Sequence, residues 1–126
     1  MATVREILGK KGSDVISVPP TETVVKAAQL MNERGIGGLV VTDGKRLAGI
    51  FTERDILRRV VAQRRDPAAT KVGDVMTSPV TACAPETTVE ECAAMMTAKR
   101  IRHLPVVGEK GLVGLITIGD VLAYQV

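Results

Sequence analysis

A chain of 126 residues, 45% hydrophobic and 25% charged, has the length of one domain and enough apolar material for a packed core, which excludes disorder. A net charge of +3 favours small anions without giving a nucleic-acid footprint, and one Phe, one Tyr and no Trp leave no stacking platforms for bases. No apolar run reaches the ~18–20 residues of a membrane span and no charged-then-apolar leader opens the chain, so no membrane partner and a cytoplasmic location are expected.

Thr3-Val-Arg-Glu6 has the form of a capping box, which predicts a short helix from Val4 to about Gly9. Lys10 to Asp14 reads as a loop, and Val15 to Val18 as a strand stopped by Pro19-Pro20. Thr23 can cap a helix whose apolar positions Val24, Ala27, Ala28 and Met31 follow the i, i+3, i+4, i+7 rule, with Gly35 as its left-handed end. Gly38 to Thr42 and Leu47 to Phe51 read as strands around an Asp43-Gly44 turn. A second helix follows Thr52, with Ile56, Leu57, Val60 and Val61 on its inner face. After a polar linker, Gln63 to Thr70, the order returns. A helix is expected near Val72–Met76, a strand near Val80–Cys83 and a helix over Thr88–Lys99. Strands Leu104–Val107 and Leu112–Ile116 and a helix from Thr117 complete the chain.

The second half repeats the first. Pro20–Leu57 and Pro85–Leu122 align without a gap at an offset of about 65 residues, with about 14 of about 38 positions identical. The identities include Thr23/Thr88, Val24/Val89, Ala28/Ala93, Met31/Met96, Leu39/Leu104, Gly49/Gly114, Thr52/Thr117 and Asp55/Asp120. A shorter echo precedes each copy, Val4-Arg-Glu-Ile-Leu8 against Val72-Gly-Asp-Val-Met76. The chain therefore divides into repeats over 1–66 and 67–126, each β-α-β-β-α, and the fold class is α+β. A duplicated unit that cannot bury its own apolar face packs against its twin, and seams between twins make clefts.

Within each repeat a glycine in the last strand is followed by Thr-x-x-Asp at the start of the next helix. The two phrases are Gly49-Ile-Phe-Thr52-Glu-Arg-Asp55 and Gly114-Leu-Ile-Thr117-Ile-Gly-Asp120. With Ile101-Arg-His-Leu-Pro-Val106 entering a strand, these phrases and the tandem order resemble the cystathionine-β-synthase (CBS) domain family, specifically a stand-alone pair of such domains, a Bateman module. The resemblance covers almost the whole chain. It implies two repeats packed sheet to sheet with pseudo-two-fold symmetry and two clefts that take adenine nucleotides: AMP, ADP or ATP, with NADH or S-adenosylmethionine as further candidates. It also implies that the Asp takes the ribose hydroxyls, that the Thr lies near sugar and phosphate, and that the partner repeat's Arg-His segment reaches the phosphate.

The residues carry compatible chemistry. An ionised carboxylate is an acceptor suited to a vicinal diol, and a threonine hydroxyl with free helix-start amides attracts phosphate. The same Thr-x-x-Asp pattern is also a plain helix cap, and the two roles coexist if the cap leaves one carboxylate oxygen free. The repeats differ before their second strand, where Gly37-Gly38 faces Arg102-His103 in the alignment. Combining the two repeats gives one cleft with Thr52, Arg54, Asp55, Arg102 and His103, and another with Thr117, Asp120, Gly37 and Gly38. The first, holding a guanidinium and an imidazole, is expected to be the better nucleotide site. Ser17 and Val18, and Thr81 and Cys83, are the candidates to flank the base. Arg54, Arg58, Arg59, Arg64 and Arg65 read as a solvated basic helix face, with Asp55 and Arg59 four apart.

Cys83 and Cys92 are too few and wrongly spaced for zinc, so no metal is expected. Cys92, at the place of Ala27, reads as a core residue. No activated nucleophile, paired-acid site or cofactor requirement is visible, so no enzyme activity is expected. The leading expectation is a regulatory module that senses adenine nucleotides and signals to a separate partner chain. The alternative is a structural dimerisation module without a small-molecule ligand. A homodimer is expected in either case, since the helical faces offer more apolar surface than one unit buries.

Overall fold

A computed structural model describes residues 1–124; Gln125 and Val126, the end of the second expected repeat, lie outside the described residues. In chain order the elements are α1 (Val4–Lys11), β1 (Ser17–Val18), α2 (Val24–Arg34), β2 (Gly38–Asp43), β3 (Arg46–Thr52) and α3 (Glu53–Asp55). A π-helical stretch, Ile56–Val61, continues α3. Then come α4 (Val72–Val75), α5 (Val89–Lys99), β4 (His103–Gly108), β5 (Gly111–Thr117) and α6 (Ile118–Tyr124). The architecture is α+β, with two sheets and a tandem repeat of elements.

The chain packs as two compact units, Ile16–Val80 and Met1–Val15 with Thr81–Val126. These units cut across the consecutive halves 1–66 and 67–126, because each repeat is completed by the short helix that precedes the other one. In the unit Ile16–Val80, the Val72 amide donates to Glu22 O at 2.8 Å and the Val24 amide to Thr70 O at 2.9 Å, placing Val72 and Val75 of α4 in the core. In the other unit, the Val4 amide donates to Thr87 O at 2.9 Å and the Val89 amide to Ala2 O at 3.0 Å, placing Val4 and Ile7 of α1 in the core.

In the unit Ile16–Val80 the sheet order is β1-β2-β3, with β1 parallel and β3 antiparallel to β2. Thr23 caps α2 by accepting the Lys26 amide, and Gly35 ends it in the left-handed conformation at φ 62°. Val24, Ala27 and Met31 of α2 meet Leu39, Val41 and Phe51 of the sheet, as the i, i+3, i+7 pattern requires.

The other unit has the hairpin β4-β5, packed on α1, α5 and α6. Thr88 and Glu91 form a reciprocal capping box at the start of α5, and Arg100 at its end adopts φ 55°, the conformation that Gly35 supplies in the first repeat.

Two expectations are corrected. No strand forms over Val80–Cys83; Cys83 alone bridges Val106. In the first repeat the Val40 amide donates to Ile16 O, but the aligned residue in the second is Pro105, which has no N–H to offer Thr81. The parallel ladder stops after the two bonds that Cys83 makes to Pro105 O and Val107 N. The second correction concerns Leu57 and Val61, which were expected inside and are 62% and 60% exposed. The bonds Ala62 N to Leu57 O and Arg65 N to Val60 O span five residues, so this stretch abandons the 3.6-residue period. Inward positions become Asp55 and Val60, five apart.

Candidate functional site

The paired Thr-x-x-Asp segments sit where the last strand of each repeat turns into its helix. Gly38 pairs with Thr52 across β2–β3, and Gly37 O accepts the Glu53 amide at 3.0 Å. The second repeat reproduces this with different side chains: His103 pairs with Thr117, and Arg102 O accepts the Ile118 amide at 2.9 Å. Each repeat therefore brings its own second-strand segment against its own Thr-x-x-Asp. Arg54 and Arg102 are exposed and His103 is half-buried.

The helix-cap role is realised in both copies. The Thr52 amide donates to Asp55 Oδ2 at 2.9 Å and the Thr117 amide to Asp120 Oδ2 at 2.8 Å, with the Asp120 amide returning to Thr117 Oγ1 at 3.3 Å. The second carboxylate oxygen of Asp55, expected to be left over by the cap, is engaged as well. Thr77 Oγ1 donates to Asp55 Oδ1 at 2.9 Å, and Arg59 Nε lies 3.6 Å from it. Asp55 is only 4% exposed. Arg59 also holds the carbonyl of Met76 at 2.9 Å, so this member of the basic run works as a clamp on the carboxylate and on the chain after α4. Asp120 is more open, its side chain 21% exposed, and it carries an ammonium: Lys11 Nζ donates to its Oδ2 at 2.7 Å. Its partial burial taken alone would raise the carboxyl pKa, yet the Lys11 hydrogen bond, then the Thr117 amide, hold it below the ordinary carboxylate value.

The motif glycines have a packing cause. A Cβ on Gly49 would stand 2.5 Å from Met76 Sδ and 2.9 Å from Thr77 O, and one on Gly114 2.7 Å from Leu8 Cδ2. The short helices α4 and α1 thus press Met76 and Leu8 onto the last strand of each repeat, beside the carboxylate. Thr77 and Lys11 arrive with them. Neither was singled out from the sequence, although the echo between Val4–Leu8 and Val72–Met76 is the signal that could have found both.

Of the base-flanking candidates, Val18 and Cys83 are core residues, Ser17 is exposed and Thr81 half-buried. A groove of about 260 Å³, lined by Arg46, Leu47, Ala48, Ser78, Pro79 and Val80, lies at the opposite end of β3 from Thr52 and takes in none of the candidate residues. Cys83 and Cys92 are free and buried. Burial pushes the Cys83 thiol up to about 12, the neighbouring Cys92 adding to the effect. A raised thiol pKa means that the associated stability is whole below the ordinary value of 9.0 and is lost as pH rises from there toward 12. The slope is about 1.4 kcal/mol per pH unit. Denaturant titrations across that range should show the loss, and Cys83→Val, which installs the Val18 of the first repeat, should reduce it to the share of Cys92, whose thiol burial also raises. An unchanged slope in the variant would assign the alkaline loss to another group.

The CBS domain family matches the chain twice, over residues 4–62 and 72–126. The chain belongs to the CBS domain family. It is 38% identical to the mitochondrial CBS domain-containing protein CBSX3 of Arabidopsis thaliana over 95% of its own length, and spans 63% of that relative. Among solved structures, a protein with CBS domains from Burkholderia ambifaria superposes with a TM-score of 0.96 at 44% identity, covering 99% of this chain and 94% of that one. A hexameric CBS-CP12 protein from bloom-forming cyanobacteria superposes at 0.84 with 33% identity, covering 97% of this chain and 70% of that one. Pairs of CBS domains are commonly regulatory modules rather than catalytic domains, and some occur in oligomers. Among the described residues no helix is long and apolar enough to cross a membrane.

Proposed function

We propose that this CBS pair is a regulatory module that binds an adenine nucleotide and signals its occupancy to a separate protein chain in the cytoplasm. AMP, ADP and ATP are the leading ligands, with NADH and S-adenosylmethionine next. The observation that carries the reading is the duplicated carboxylate. In both repeats an aspartate is fixed by backbone and side-chain donors at the end of the last strand, beside a threonine hydroxyl. A carboxylate so oriented accepts from a ribose diol, and Asp120, with its side chain 21% exposed, is the more open of the two. Thr52, Asp55, Thr117 and Asp120 would contact the sugar, with Arg54, Arg102 and His103 for phosphate. Gly37 and Gly38 would offer backbone only, and Ser17 and Thr81 would lie near the base. Signalling then follows from unequal affinity for two arrangements of the protein, with no chemistry done on the ligand.

The test is thermal unfolding of nucleotide-free protein with each of the five ligands. A ligand at about 100 times its dissociation constant adds about 2.7 kcal/mol, a shift of several degrees. Asp120→Ala or Arg102→Ala should abolish a shift caused by ligand on the second repeat, where both residues lie. The second reading, a dimerisation module, is favoured by Leu57, Val61 and Leu122, which stand 62%, 60% and 56% exposed. No shift with any ligand, together with a dimer in sedimentation that Leu57→Glu dissociates, would decide for it.

A further inference from the structure

Asp120 Oδ2 receives three donors: the Thr117 amide at 2.8 Å, the Thr117 hydroxyl at 3.1 Å and Lys11 Nζ at 2.7 Å. The same ammonium donates to Leu115 O at 3.0 Å. Lys11 is the last residue of α1 and stands 109 positions from Asp120, so this contact is brought about by tertiary packing. In the first repeat the aligned acceptors are met from a different position, by Thr77. There Thr77 gives its amide to Ile50 O at 2.8 Å and its hydroxyl to Asp55 Oδ1 at 2.9 Å. Ile50 aligns with Leu115 and Asp55 with Asp120. One lysine side chain therefore stands in for the amide and hydroxyl of Thr77 and brings its charge from α1, whereas the ion pair of Asp55 comes from Arg59, four residues on along its own helix, with Nε 3.6 Å from Oδ1.

The two seals also differ in access. The Asp55 side chain is 6% exposed, whereas Lys11 and Asp120 are 35% and 21% exposed. An ion pair at a solvent boundary contributes little, so a solute with good donors can compete for the carboxylate. A vicinal diol that seats on Asp120 displaces the ammonium, which stays tethered to the end of α1. A ligand bearing phosphate gives the ammonium a new counterion. A neutral nucleoside leaves it without one.

We propose that Lys11 is a specificity-determining residue of the second repeat, exchanging its ammonium from Asp120 to the ligand's phosphate and so selecting nucleotides over nucleosides. The proposal rests on the nucleotide reading above. It is tested by calorimetric titration of ATP and of adenosine, which share base and sugar, into the wild-type protein, Lys11→Met and Lys11→Arg. Wild type should prefer ATP, and Lys11→Met should narrow that preference by about tenfold, adenosine gaining while ATP loses. Lys11→Arg, which keeps the charge, should retain most of the preference; this guards against a merely structural effect of losing the lysine stem. If wild type binds both ligands and Lys11→Met leaves their ratio unchanged, the proposal is overturned while the nucleotide reading stands. If wild type binds neither, the nucleotide reading fails and takes the proposal with it.

Discussion

Phe51→Ala is expected to be the most damaging single truncation in the chain. Phe51 is fully buried one residue before the end of β3, opposite Leu39 of β2, in a core otherwise made of Val, Ala, Met and Leu side chains from α2, α4, the π-helical stretch and the sheet. Truncating a buried phenylalanine removes its transfer free energy and leaves a cavity that stiff neighbours refill poorly, a loss of about 3–5 kcal/mol. Branched valines surround it on several sides, with few rotamers available for collapse. Against a total stability of about 5–15 kcal/mol the variant should melt at least 10 °C lower, or fail to fold at 37 °C. The second repeat supplies the control, since Ile116 fills the aligned place and is also fully buried. Phe51→Ile should therefore cost only about 1–2 kcal/mol. Urea titrations read both, and a Phe51→Ala loss below about 1 kcal/mol would contradict the packing described for this unit.

What the sequence disclosed was local or periodic. Thr23 and Thr88 as caps, Gly35 as a left-handed end and the α2 stripe all depend on neighbours within a few residues, and the gapless repeat carried the same reading to α5. What stayed hidden depended on partners far along the chain. Nothing near Val4 says that α1 completes the core holding Val89 and Cys92, because that requires Ala2 O to meet the Val89 amide. The missing strand at Val80–Cys83 was legible in principle. Pro105 stands where Val40 donates its amide, and alternation of apolar residues conveys nothing about donors. The inner face proposed for Ile56–Val61 assumed an α-helical period that the π-helical bonds replace. For the site, the sequence marked the two aspartates but not what engages them. Thr77 and Lys11 reach Asp55 and Asp120 only because Met76 and Leu8 seat the preceding helices on Gly49 and Gly114.

That seating yields the second large effect. Gly49→Ala should destabilise the first repeat by about 3 kcal/mol, near the upper end for overpacking by one methyl group. The new Cβ would meet Met76 Sδ at 2.5 Å, which a flexible thioether can vacate, but also Thr77 O at 2.9 Å, which is backbone. Thr77 cannot retreat cheaply. Its amide and carbonyl both pair with Ile50, at 2.8 and 3.0 Å, and its hydroxyl satisfies the buried Asp55 at 2.9 Å. Moving it leaves a carboxylate at 4% exposure short of a donor, a loss larger than that of an ordinary hydrogen bond. Gly114→Ala offers the contrast. There the obstructing atoms are Leu8 Cδ2 and Cδ1, at 2.7 and 2.9 Å, the far end of a side chain that can change rotamer, and the expected loss is about 1 kcal/mol. Adding Met76→Ala to Gly49→Ala should recover the thioether share but not the backbone share, so the double variant stays clearly below Met76→Ala alone in urea titrations. Full recovery would mean that Met76, not Thr77, is what the motif glycine makes room for. In that event the glycine would serve packing only, and the link from Gly49 through Thr77 to Asp55 would not hold.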